Sequence, residues 1–214
     1  MAAKGESMVG TAAARRRGPI LVDVDTQNHF FRNDSLLCVN DHRSVLDRIQ
    51  RVFTWARSQP VPIISTVQVN NSGAVYTRSF LLDGFSIQKP ACTLCRRRIL
   101  LEAADCTDLP RRVMEHFDQV ILEKRCFDPF AEPRCDRLFT ELADDDFILI
   151  GAPIEGAVKA TALGLLARGK HVTVVVDATG SFSLLRARRA LQQLHAKGAR
   201  LARTGVLLRT LQPV

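Results

Sequence analysis

Residues 147–169, FILIGAPIEGAVKATALGLLARG, have the pattern of a short buried strand, a glycine turn and a helix. The apolar, β-branched run ends at Gly151, as expected for a strand that is buried on both faces. After the turn, apolar residues recur at helical spacing at Leu163, Leu166 and Ala167. A strand that leads through a tight turn into a helix is the unit from which parallel sheets covered by helices are built.

The same alternation extends along the chain in both directions. Four more apolar runs read as buried strands: Ile20 to Val24, Val61 to Val67, Val120 to Leu122 and Val172 to Val176. Between the first two, a helical pattern is formed by Val45, Ile49, Val52, Phe53 and Ala56. The chain therefore predicts an α/β fold with three layers, α/β/α, around a mostly parallel sheet. Ligands bind such sheets at the carboxyl ends of the strands.

Length and composition indicate one domain. The chain has 214 residues, of which 46% are hydrophobic, enough to bury a sizeable core. Residues 1–18 lack apolar periodicity and carry a basic cluster, so we expect a disordered basic tail followed by a domain over residues 19–214. Residues near 68–108 also show little periodicity and read as a cysteine-containing insertion.

Neither an export signal nor a membrane span is predicted. The first residues lack the apolar core of a secretory signal, and no stretch approaches the roughly 18 apolar residues that cross a bilayer. Six cysteines in such a chain suit a reducing compartment and free thiols. We therefore expect a soluble, cytoplasmic protein.

Three segments together resemble the isochorismatase-like (cysteine hydrolase) superfamily. They are PILVDVDTQNHFF at residues 19–31, QVILEKRCFDPF at residues 119–130, and residues 147–169. The resemblance implies that superfamily's fold, with Asp25 as catalytic carboxylate and Lys124 as catalytic lysine. It places Ala157 where relatives carry the nucleophilic cysteine.

Further roles are expected in the same segments. Substrate-binding positions are expected at Gln27, Gly151, Ile154, Glu155 and Gly156, at the end of a strand or on the first turn of the helix that follows. His29 stands where many relatives have an aspartate, and the metal-binding histidines of the nicotinamidase branch are missing, so no metal and no cofactor are carried over. Members of the family commonly self-associate, which implies a homo-oligomer.

Because residue 157 is alanine and has no thiol, it cannot attack a carbonyl as a nucleophile. Vinyl-ether hydrolysis, the chemistry of isochorismatases, needs only a carboxylic acid and water, so Asp25 and Lys124 could act on a small anionic molecule by acid-base chemistry. A catalytically silent protein that binds a metabolite or protein partner is the alternative. Cys126, two residues after Lys124, is a candidate replacement nucleophile.

A separate question concerns Cys92, Cys95 and Cys106. The first two form a C-x-x-C pair, and a structural zinc would suit an insertion with few apolar residues. A complete zinc site needs two such pairs or nearby histidines, however, so ordinary free thiols are the competing interpretation.

The chain carries 30 Lys and Arg against 22 Asp and Glu, a net charge of +8. This excess of positive charge suggests a protein that binds nucleic acid. However, the chain has only one Trp and one Tyr and no nucleic-acid-binding motif. We therefore favour a solvated basic surface that attracts a small anionic ligand. A nucleic-acid-associated protein is the third and weakest class.

Overall fold

The computed structural model describes residues 18–69, 89–143 and 146–211. Residues 1–17 of the expected basic tail and residues 70–88 of the expected insertion lie outside these ranges. Seven strands are present: β1 (Ile20–Val24), β2 (Ile63–Gln68), β3 (Arg98–Leu101), β4 (Gln119–Lys124), β5 (Asp146–Gly151), β6 (His171–Thr179) and β7 (Arg200–Ala202).

Within the described residues, seven α-helices accompany them: α1 (Asn28–Phe31), α2 (His42–Ser58), α3 (Val113–His116), α4 (Pro133–Glu141), α5 (Lys159–Ala167), α6 (Leu184–Ala196) and α7 (Thr204–Thr210). Short 3-10 turns lie at Ala91–Thr93 and Pro129–Ala131, and a π-helical turn at Ile154–Val158 leads into α5.

The strands form one sheet in the order β3-β4-β2-β1-β5-β6-β7, and every neighbouring pair is parallel. One core lies between the sheet and α4, α5 and α6, and a second lies between the sheet and α2 and α7. The predicted three-layer α/β fold is therefore confirmed.

All five predicted strands are present, but β3 and β7 were not foreseen. β3 lies at the edge of the sheet, and its residues alternate between exposed and half-buried, so it lacks a continuous apolar run. β7 has only three residues and begins with Arg200. Edge strands of this kind carry little sequence signal.

The buried face of α5 also differs from the prediction. Its fully buried residues are Thr161, Ala162 and Leu165, whereas Leu163 and Leu166 are only partly buried against the same core. The helix is apolar on nearly all sides, so spacing alone could not select the buried face.

The order of the strands identifies where a ligand would bind. From β1 the chain builds the sheet in one direction through β2, β3 and β4, and then returns to add β5 on the other side of β1. The connections after β1 and β5 therefore leave in opposite directions. Ligands of open parallel sheets usually bind at such a reversal, at the carboxyl ends of the two strands.

Candidate functional site

Asp25 follows the last residue of β1 and is fully buried. Its Oδ2 lies 2.7 Å from Nζ of Lys124, and its Oδ1 accepts a hydrogen bond of 2.6 Å from the Thr66 hydroxyl. The Asp25 backbone has a φ of 49°, a left-handed conformation that non-glycine residues rarely adopt. The backbone N–H of Asp25 also donates to Thr66, so β2 supports this conformation.

Lys124 ends β4 and is likewise fully buried. β2 lies between β1 and β4, so the lysine reaches past the end of one strand to meet Asp25. Its Nζ also donates a hydrogen bond of 2.8 Å to the carbonyl oxygen of Cys126. The structure thus brings the two residues into one ion pair at the carboxyl edge of the sheet.

Gly151 ends β5, which lies on the other side of β1. A Cβ at this position would lie 1.9 Å from the carbonyl oxygen of Val24, and the residue has a φ of 120°. Only glycine fits this contact. The next peptide N–H, from Ala152, donates to the same Val24 oxygen at 2.9 Å, and the Ala152–Pro153 bond is cis.

Ala157 lies in the π-helical turn that follows Gly151. It is fully buried in the core on the α5 side of the sheet, beside Ile154 and Val158. Its carbonyl oxygen accepts a hydrogen bond of 2.8 Å from the Thr161 hydroxyl. The methyl group of Ala157 has neither a proton to lose nor an electron pair to donate, so this residue cannot be a nucleophile.

Two of the expected substrate-binding residues, Gln27 and Glu155, form hydrogen bonds to neighbouring segments of the chain. Gln27 donates to the carbonyl of Gln68 and accepts from its N–H, at 3.1 and 2.9 Å, which ties the ends of β1 and β2 together. Oε1 of Glu155 accepts from the N–H of Phe182 and from the Ser181 hydroxyl.

The other expected positions are Ile154, which is buried in the core, and Gly156, whose added Cβ would touch Pro153 and Phe127. Substrate binding by these residues stays a prediction.

A second buried ion pair lies next to the first and was not foreseen. Oδ2 of Asp23 is 2.6 Å from Nζ of Lys89, and both side chains are almost completely buried. Oδ2 also accepts from the Ser65 hydroxyl at 2.9 Å, and Oδ1 accepts from Thr26. Lys89 donates further to the Thr26 carbonyl at 3.1 Å.

One signal in the sequence could have revealed it: a carboxylate inside the apolar run ILVDV requires a buried partner. The network fixes Thr26, the residue directly after Asp25.

In an extended chain, the Cys126 thiol would point to the same side as Lys124. In the structure, the thiol does not face the Asp25–Lys124 pair. Its carbonyl oxygen faces Lys124, while its Sγ contacts the carbonyl oxygen of Asp128 at 3.2 Å. This orientation gives no support to Cys126 as a replacement nucleophile.

The three zinc candidates are not assembled. In the described ranges, no group of three His, Cys, Asp or Glu side chains is placed to hold a metal ion. Cys95 is packed in the α2 core, whereas the carbonyl of Cys92 accepts a hydrogen bond from Arg57 and Cys106 is half-buried beyond β3. Burial raises the thiol pKa of both Cys92 and Cys95. The structure therefore adds nothing in favour of zinc, and metal analysis of the purified protein is the direct test.

His29 lies near the site, on α1. Only 7% of it is exposed, and its ring stacks at a tilt on Phe30 with centroids 4.0 Å apart. Burial lowers the pKa of His29 to about 4 from its ordinary 6.5, because the imidazolium would lose its hydration. His29 is therefore neutral in the folded protein at physiological pH.

This burial predicts an acid sensitivity. Between pH 6.5 and about 4 the unfolded chain binds a proton at His29 that the folded protein does not, so stability falls as the pH falls. The expected loss is about 3 kcal/mol, at roughly 1.4 kcal/mol per pKa unit. We expect His29→Gln to remove this part of the pH dependence in urea unfolding measured from pH 7 to 4, and the exposed His116→Gln to leave it unchanged. An identical slope in wild type and His29→Gln would contradict the assignment.

Comparison with known proteins identifies the family of the chain. The model of the isochorismatase domain matches residues 19–205, which covers most of the chain and includes Asp25, Lys124 and Ala157. The chain belongs to the isochorismatase family. No curated protein matches it significantly. Within residues 18–69, 89–143 and 146–211, no helix is long and apolar enough to cross a membrane.

Several solved structures are similar to this chain in fold. The isochorismatase-like hydrolase from Alkaliphilus metalliredigens is 17% identical with a TM-score of 0.67, and the match covers 90% of this chain and 98% of that one. The MAR1 ribonuclease from Caenorhabditis elegans is 21% identical with a TM-score of 0.64, over 91% and 81% of the two chains. The zinc-bound pyrazinamidase of Pyrococcus horikoshii is 19% identical with a TM-score of 0.62, over 86% and 98%. At these identities the isochorismatase-family protein described here shares the fold with each.

Proposed function

We propose that this isochorismatase-family protein is a hydrolase that acts on a small anionic molecule through Asp25 and Lys124, without a cysteine nucleophile. The observation that carries the proposal is the buried ion pair of 2.7 Å between Asp25 and Lys124 at the carboxyl ends of β1 and β4. Buried, paired ionisable groups at a ligand-binding edge are characteristic of catalytic sites.

The residues present restrict the chemistry. In this mechanism Asp25 takes up a proton before the reaction, gives it to a carbon or oxygen of the substrate and recovers it from the water that completes hydrolysis. Lys124 provides the positive charge that stabilises the Asp25 carboxylate after the proton has left. Ala157 can form no covalent intermediate. Hydrolysis of a vinyl ether fits these limits, because protonation of the enol carbon precedes addition of water.

Charge supports an anionic substrate. The net charge of +8 produces a positive potential that concentrates small anions near the protein. Lys124 adds a net positive charge within the site itself when Asp25 is protonated. A carboxylate-bearing vinyl ether would satisfy both conditions.

A catalytically silent binding protein is the second candidate, and one observation favours it. Asp25, Lys124 and Ala157 all have 0% exposure, and both carboxylate oxygens of Asp25 are occupied by Lys124 and Thr66. An ion pair whose atoms are buried and all engaged in this way can be retained because it specifies one folded arrangement.

Replacement of Asp25 by asparagine distinguishes the two functions. If Asp25 transfers the proton, Asp25→Asn should reduce turnover of a vinyl-ether carboxylate by roughly 100-fold or more, while binding of that compound persists. Product formation by chromatography and ligand-induced thermal stabilisation measure the two effects separately. The matched control is Asp146→Asn, an exposed carboxylate at the amino end of β5.

Turnover that survives Asp25→Asn excludes the acid-base mechanism. A protein that is stabilised by the compound but forms no product is a binding protein instead.

A further inference from the structure

The charge of the protein is concentrated at one end of the chain. Residues 178–214 contain seven of the 30 Lys and Arg residues and none of the 22 Asp and Glu residues. The preceding 177 residues, with 23 basic and 22 acidic side chains, are nearly neutral. All seven basic residues are exposed and belong to α6, β7, α7 or their connections: Arg186, Arg188, Arg189, Lys197, Arg200, Arg203 and Arg209.

The same elements expose apolar side chains. Six large hydrophobic residues are exposed in the described ranges, and four of them are Leu184, Leu185, Leu201 and Val206, with exposures of 72, 61, 40 and 51%. α6, β7 and α7 are called here the basic edge. A surface that is both basic and apolar is not explained by solubility alone, because solubility needs no exposed leucines.

β7 is the terminal strand of the described sheet and pairs only with β6. Two cavities, of about 550 and 660 Å³, lie along it and have Leu201 and His195 in common. The first is also lined by Leu184 and Leu191 of α6, and the second by Val206 of α7. An edge strand with cavities beside it can pair its free backbone groups with an added strand, whose side chains fill those cavities.

We propose that the basic edge binds an extended acidic segment of a partner protein, which adds to β7 as an eighth strand. Its apolar side chains, at alternate positions, contact Leu201 and the two cavities, and its carboxylates meet the arginines.

Charge excludes two other occupants. A second copy of the chain would bring the same positive edge and would be repelled. Residues 1–17 would be repelled as well, because they carry four basic residues against one Glu. Nucleic acid would leave the four exposed aliphatic side chains without a partner. Moreover, the only Phe, Tyr or Trp of residues 178–214 is the half-buried Phe182, so the imidazole of His195 is the one exposed ring that the described part of the basic edge offers for base stacking.

The experiment uses the full chain and a fluorescent peptide of about ten residues that alternates glutamate and valine. Fluorescence anisotropy should show saturable binding. N-methylation of alternate peptide nitrogens should weaken it at least about tenfold, because it removes backbone donors while it retains charge and side chains. Equal binding of the methylated peptide would overturn strand addition.

Two matched pairs of variants localise the binding. Leu201→Lys on β7 should weaken binding at least about tenfold, whereas Leu100→Lys, at a residue 42% exposed on the opposite edge strand β3, should not. The double change Arg188→Glu with Arg203→Glu should also abolish binding, and the exposed Arg51→Glu should leave it intact.

All these side chains are exposed, and circular dichroism checks that the variants fold. Equal effects at the two edges would overturn the proposal. So would duplex RNA that displaces the peptide at equal charge concentration, since a general polyanion surface would then suffice.

Discussion

Gly151→Ala is expected to remove at least about 3 kcal/mol from the free energy of unfolding, and the variant should be largely insoluble on expression. The added Cβ would lie 1.9 Å from the carbonyl oxygen of Val24, which belongs to the backbone of the central strand and cannot rotate away. The φ of 120° adds strain that alanine cannot relieve. β1 and β5 must therefore separate at their carboxyl ends.

Urea unfolding followed by circular dichroism measures the effect. The control is Gly169→Ala, which also has a positive φ, of 73°, but whose added Cβ meets no atom within 4 Å. That change should cost only about 1 to 2 kcal/mol, the ordinary penalty of a left-handed residue. Similar losses for the two variants would show that the contact between Gly151 and Val24 is not tight in solution.

Lys89→Met is expected to cost about 3 to 5 kcal/mol, because it leaves the Asp23 carboxylate buried without its positive partner. The exposed Lys197→Met should change stability by less than about 0.5 kcal/mol. Chemical denaturation of both variants gives the comparison.

Asp23→Asn introduced into Lys89→Met should recover part of the loss, because a neutral amide needs no counter-charge. A double variant no more stable than Lys89→Met would contradict this account, as the loss would then come from something other than the unpaired carboxylate.

The sequence predicted those parts of the fold that depend on continuous burial. β1 and β5 lie at the centre of the sheet and are apolar on both faces, so their runs were recognisable. β7 is short and begins with an arginine, and its pairing depends on β6 rather than on its own composition. Strands of that kind are decided by tertiary contacts, which local patterns do not record.

The candidate site also contains residues that the sequence could predict and one that it could not. Asp25 and Lys124 could be named because each follows or ends an apolar strand within a recognisable motif, and the structure joins them by 2.7 Å. Lys89 could not be named, because no periodic pattern surrounds it and its partner Asp23 lies 66 residues earlier. Its importance comes from burial, which is a property of the folded molecule.

The central position of β1 also affects how the protein is synthesised. Of the described strands, β1 is the first to leave the ribosome, yet its neighbours are β2 and β5, and the partner of Asp25 is made 99 residues later. At a synthesis rate of about 5 to 20 residues per second, Lys124 is added roughly 5 to 20 s after Asp25. A nascent chain that ends before β4 cannot neutralise this carboxylate, so its central strand must stay hydrated or be held by a chaperone until much of the chain has emerged.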